Sequence, residues 1–189
     1  MPRPRPNLRD QPIPSLVRTI SIPVITGMFF QTMYNVVDTW AAGQLSTEAL
    51  AALSGSFSVF FLIIAVSHGC QAATNALLSH ALGADDTTAA ARLGGQALFF
   101  AMWMSTGVGA LGYFFTPHLL QIVQLKGETL QLATEYLRTL FWATPFFVLS
   151  STLNGMLSAH GETRPFRDSL IVGFLLNIVL DIWFVFGGY

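Results

Sequence analysis

The stretch LAALSGSFSVFFLIIAVSHGCQAATNALLSHAL, residues 50–82, runs without a single Asp, Glu, Lys or Arg. A helix crossing a bilayer needs about 20 consecutive, mostly apolar residues. This stretch exceeds that length, so it predicts a spanning helix long enough to be tilted or kinked, and Gly55 and Gly69 permit either. Working outward, four more such stretches appear, at 16–41, 94–115, 131–157 and 169–188. They are separated by 43–48, by Gly83-Ala84-Asp85-Asp86, by Pro117 to Gly127 and by His160 to Asp168. Each separator holds the Gly, Pro or charge of a connecting loop.

Composition agrees. Of 189 residues 52% are hydrophobic and 10% charged, against roughly 25% charged in a soluble domain. Mean hydropathy is +0.55. The fold class is therefore an all-α polytopic membrane protein of five transmembrane helices. A net charge of −1 without a basic patch excludes nucleic acid as a partner. The one cysteine, Cys70, lies inside a span, leaves no internal disulfide and reads as a packing residue. Residues 1–15, with Pro2, Pro4, Pro6, Pro12 and Pro14, lack the order of a signal peptide and read as a flexible cytoplasmic tail. Residues 16–189 form the membrane part.

Orientation follows from the basic residues. Arg3, Arg5, Arg9, Arg18, Arg92, Arg164 and Arg167 fall on one side, Lys126 and Arg138 on the other. Seven against two puts the amino terminus in the cytoplasm. The chain stops at Tyr189, beside the end of the fifth span, and so reads as part of a longer protein.

Two acids interrupt the spans, Asp38 and Asp181. A carboxylate at bilayer depth costs about 2.5–3.5 kcal/mol on insertion scales, so each is a functional candidate. Counting from Arg18 and Asp168, they rise roughly 30 and 20 Å from the cytoplasmic boundary, which lets them converge in the outer half. Gln31, Tyr34, Asn35 and Asp38 share one helix stripe, and Asn177 and Asp181 share another. No Lys or Arg lies deep in a span to neutralise the acids. Such a pair must bind a mobile cation or hold a proton, and oxygen ligands suit a hard ion such as sodium.

Other polar residues have structural explanations. His68, Gln71, Asn75 and Ser79 form a stripe suited to interhelical hydrogen bonds, although its role stays open. Glu135 and Arg138 are spaced for a mutual ion pair. Ala97, Ala101, Ser105 and Gly109 form a small-residue packing face. Pro23 and Pro145 predict kinks.

Pro23, Gln31-Thr32-Met33-Tyr34-Asn35-Val36-Val37-Asp38-Thr39 and Gly43 resemble the first helix of the multidrug and toxic compound extrusion (MATE) transporters. Leu53 to Ala84, with Gly69, Gln71, Ser79 and Gly83-Ala84, resembles their second helix. Leu153-Asn154-Gly155, Ala159, Gly161-Glu162-Thr163-Arg164 and Asn177-Ile178-Val179-Leu180-Asp181 resemble the end of the fourth through the fifth. The resemblance implies five helices of a six-helix N-lobe, with the sixth helix and the C-lobe of the same protein as missing partners. It implies a bacterial inner (cell) membrane protein that exchanges sodium or protons for organic, often cationic, drugs, with no other cofactor and no enzymatic reaction. It matches Asp38, Asn177 and Asp181 to a cation site (a sodium site if sodium couples), and Gln31, Tyr34 and Asn154 to the substrate cavity. Pro165 stands one residue earlier than the family pattern.

Three other readings compete. A lipid-linked saccharide flippase of the same superfamily needs deep basic residues to meet phosphates, and the spans lack them. An intramembrane aspartyl protease needs Tyr-Asp and Gly-x-Gly-Asp, whereas Val37 and Leu180 precede the two aspartates. A non-transporting fragment or assembly partner is the third, tested by whether the chain alone moves a substrate.

Overall fold

In a computed structural model, which describes residues 12–187, the chain forms five helices: α1 Ile13–Leu45, α2 Thr47–Gly83, α3 Thr87–Ile122, α4 Gly127–Ala159 and α5 Arg164–Phe186. All five contain a segment long and apolar enough to cross a membrane. With the family evidence below, they make this an integral membrane protein. Most of the expected tail, residues 1–11, lies outside the described residues, and Ile13–Ser15 already belong to α1.

The helices overrun the apolar stretches. The expected loop 43–48 shrinks to Ser46, and α3 continues through Pro117 to Ile122. Apolarity marks the part of a helix immersed in hydrocarbon, whereas the helix itself continues until its backbone bonds run out. The stops are local. Ser46 caps α2 by accepting from the Ala49 amide at 3.0 Å, and Asp86 caps α3 by accepting from the Ala89 amide at 2.8 Å. Gly127 and Gly161 turn the chain with φ of 59° and 74°, a region glycine enters without steric cost. The helix α2 is continuous through Gly55 and Gly69, and α1 and α4 are continuous through Pro23 and Pro145.

Two compact units divide the chain. One holds Ala42–Met156; the other joins the chain up to Ala41 with the segment from Leu157 onward. In the first unit, Ala52, Val59, Ile63, Leu120, Ala133, Leu137 and Phe141 form a buried core. Small residues let the helices approach. Ala101, Ser105 and Gly109 are buried as expected, and the face continues to Gly112 and Thr116. A Cβ on Gly109 would stand 2.7 Å from the Phe141 carbonyl oxygen, and one on Gly112 would overlap the Phe141 ring. Gly55 receives Leu125 from the α3–α4 loop, where a Cβ would meet it at 2.8 Å. Gly55 is thus a packing socket for Leu125.

The buried hydroxyls of Ser56, Thr116 and Thr152 are satisfied within their own helices. Ser56 donates to the Ala52 carbonyl at 2.7 Å, Thr116 to Gly112 at 2.6 Å and Thr152 to Val148 at 2.8 Å. This removes the cost of unpaired polar groups in hydrocarbon. Phe99, Trp103, Phe114 and Trp142 are exposed on the helix surfaces, as lipid-facing side chains are.

The expected Glu135–Arg138 ion pair does not form. The Arg138 guanidinium lies 5.3 Å from the centre of the Tyr113 ring, and Glu135 accepts from the Gln131 amide at 3.5 Å. A ring face on α3 supplies the negative charge that the exposed carboxylate does not.

Candidate functional site

The helices α1 and α5 run parallel. Gly27 sits against Leu170 and Phe166, with contacts of 3.1 and 3.4 Å for an added Cβ. Further along, the Phe30 and Phe174 rings meet at 5.4 Å between centroids. Further still, the Asn177 side-chain amide donates to Asp38 Oδ1 at 2.7 Å. Each step along α1 is matched by a step in the same direction along α5. Glycine at position 27 permits the close approach that brings the polar groups of both helices into one seam.

Four side chains gather there. The Tyr34 hydroxyl adjoins the Asn177 side chain and stands near both carboxylates. The Asp38 and Asp181 carboxyls adjoin one another as well as Asn177. Among the described residues, no cationic side chain acts on either acid. Asn177 is only 8% exposed. Its Oδ1 is buried without a hydrogen-bond donor, and so is Asp181 Oδ2.

The chemistry follows from that inventory. Asn177 donates an N–H to Asp38, and its buried oxygen is left as an acceptor beside an acidic pair. Two adjoining carboxyls with two unserved buried oxygens offer the ligand types that a proton or a hard metal ion takes. No group of three or more His, Cys, Asp or Glu gathers among the described residues, so the acceptors here are two carboxylates, an amide oxygen and a phenol.

The sequence-read residues divide. Tyr34, Asp38, Asn177 and Asp181 come together; Gln31 and Asn35 do not join them. Asn35 turns to its own helix and donates to the Gln31 carbonyl at 2.9 Å, while the Gln31 side chain is exposed. Asn154 belongs to the Ala42–Met156 unit, where it is buried with Oδ1 unpaired. In the second-span stripe Ser79 donates to Asn75 at 3.3 Å, His68 is exposed, and the Gln71 carbonyl lies against Gly155, 2.5 Å from where a Cβ would stand. Sequence reasoning missed Phe30 and Phe174, whose only signal was their place one turn before Tyr34 and Asn177.

Comparison with known proteins is consistent across sequence and structure. The MatE family model matches residues 23–183. The chain is 27% identical over 183 residues to the FAD transporter of Shewanella oneidensis, covering 97% of this chain and 40% of that protein. It is 28% identical over 171 residues to the probable multidrug resistance protein YoeA of Bacillus subtilis, covering 88% and 37%. Among solved structures, a MOP superfamily transporter from Pyrococcus furiosus superposes with a TM-score of 0.86 at 30% identity, over 91% of this chain and 38% of that one. The chain thus spans about 40% of the length of the relatives it matches.

Proposed function

The chain belongs to the MatE family, and on that premise we propose that it is the coupling part of an exporter of organic compounds driven by sodium or protons. The seam supports this reading: Asp38 and Asp181 side by side, Asn177 between them and, among the described residues, no fixed cation acting on either. Asp38, Asn177 and Asp181 hold the coupling cation; Gln31, Tyr34 and Asn154 face the organic substrate. The amino terminus is cytoplasmic, the membrane is the bacterial cell membrane, and further helices of the same protein supply the second wall of the cavity.

In the exchange cycle the organic substrate occupies the cavity while the two aspartates are charged. A cation from outside then neutralises them and favours release. Moving a two-state equilibrium from 1:99 to 99:1 takes about 5.5 kcal/mol of differential binding. One charge crossing 100 mV supplies about 2.3 kcal/mol, so the concentration gradient of the ion must supply the remainder.

The test is export from vesicles carrying the natively expressed protein, under an imposed sodium or pH gradient. Organic cations serve as substrates, with FAD beside them because one relative bears that name. Asp38→Asn and Asp181→Asn should each reduce gradient-driven export to background while the protein stays folded. Undiminished export in both variants would sink the proposal.

A further inference from the structure

The cation cluster is placed asymmetrically along its two helices. From Asp38 to the end of α1 at Leu45, and from Asp181 to the end of α5 at Phe186, the rise is roughly 10 and 8 Å. Toward the amino-terminal ends, Ile13 and Arg164, it is roughly 37 and 25 Å. The long side of the seam begins with Phe30 and Phe174, one turn from Tyr34 and Asn177, with ring centroids 5.4 Å apart and planes tilted by 58°. Phe29 packs edge-on against Phe30 at 5.6 Å. Below the ring pair, Leu170 and Phe166 close on Gly27, leaving no room for a Cβ without displacement. Pro23 and Gly27 are buried there.

No charged side chain lies along that stretch of either helix. The nearest polar side chains of α1 point elsewhere: Asn35 and Thr26 bond to their own helix, and Gln31 is exposed. The first charges beyond it are Arg167 and Asp168, which pair with each other. A bare ion or proton entering an apolar seam gives up solvation that the seam's side chains do not replace.

We infer that the Phe30–Phe174 ring pair is the seal on the amino-terminal side of the cation cluster, keeping a bound cation from crossing between α1 and α5 without transport of the organic substrate. The inference rests on the proposed antiport. It adds two residues that touch neither the cation nor the substrate yet hold the two fluxes together.

The experiment measures downhill sodium or proton flux into proteoliposomes of the full natively expressed protein, with no organic substrate present. Phe174→Ala and Phe30→Ala should raise that flux roughly tenfold or more, as expected when a barrier falls by one factor of ten in rate. Phe174→Leu, which keeps the seam apolar and its folding demands mild, should raise it less. Phe99→Ala, on an exposed ring of α3, should not change it. Adding Asp38→Asn to Phe174→Ala should return the flux to the wild-type level, because the leak passes through the cluster. Wild-type flux in all three ring variants of folded protein would overturn the inference, and so would a leak that survives Asp38→Asn. Absence of gradient-driven export by the wild type counts against the antiport alone: a ring-variant leak that Asp38→Asn abolishes would still uphold the seal.

Discussion

Asn177 shows how one side chain sets the character of the cluster. Its amide nitrogen donates to Asp38 and its oxygen lies buried without a donor, so it offers the cluster a donor and an acceptor at once. Replacing it with alanine removes both the donor that stabilises the Asp38 carboxylate and that acceptor. Hydrogen bonds to charged groups are worth about 1.5–3 kcal/mol, which corresponds to roughly ten- to hundredfold in an equilibrium constant. Asn177→Ala should therefore weaken the apparent affinity for the coupling cation by about that factor, read from the ion-concentration dependence of export. Tyr34→Phe, which keeps the ring and removes only the hydroxyl adjoining Asn177, should cause a smaller loss. Equal loss in the two variants would show that the amide is not the organising group. The stripe of Tyr34 and Asp38 and the pairing of Asn177 with Asp181 were legible from helical spacing. The turning of Asn35 onto its own backbone was not, because spacing gives a side chain's direction and not the competing acceptor one turn away.

At the scale of elements, glycines decide how closely helices pack, and the three kinds of site on these helices predict three costs. At Gly155 an added Cβ meets backbone, the Gln71 carbonyl oxygen at 2.5 Å, and backbone cannot rotate away. At Gly112 it meets the Phe141 ring, which can shift at the expense of core packing. At Gly107 nothing lies within 4 Å, so alanine there should add only its helix preference, about 1 kcal/mol in favour. Overpacking typically costs about 1–3 kcal/mol. Thermal denaturation in detergent should accordingly place Gly155→Ala lowest and Gly112→Ala next. Gly107→Ala should lie at or above the wild type. Adding Phe141→Leu to Gly112→Ala should recover part of the loss, since residues in direct contact are energetically coupled. The existence of all five helices followed from apolar length alone. Their ends did not, because Ser46 and Asp86 caps and the left-handed turns at Gly127 and Gly161 act on backbone bonds that hydropathy does not register.

At the scale of the molecule, the shared direction of α1 and α5 ties the Asp38–Asp181 cluster to one end of both helices. The helices α1 and α5 run the same way, as the parallel register from Gly27–Leu170 to Asp38–Asn177 requires. Which way that is rests on the seven-to-two division of Lys and Arg between the sides. The two turns offer a direct check. Cys70 is the only cysteine, so Cys70→Ala gives a background for single cysteines at Ala84, in the α2–α3 turn, and at Gln124, in the α3–α4 turn; both positions are exposed. A membrane-impermeant thiol reagent applied to intact cells should label Gln124→Cys and leave Ala84→Cys untouched until the membrane is opened. The cluster then lies near the outer face, where an inward ion gradient delivers its cation, and the Phe30–Phe174 pair stands between it and the cytoplasm. Labelling of Ala84→Cys in intact cells would invert the molecule: the same seam would fill from the cytoplasm, and an inward gradient could no longer load it against an outward flow of organic substrate.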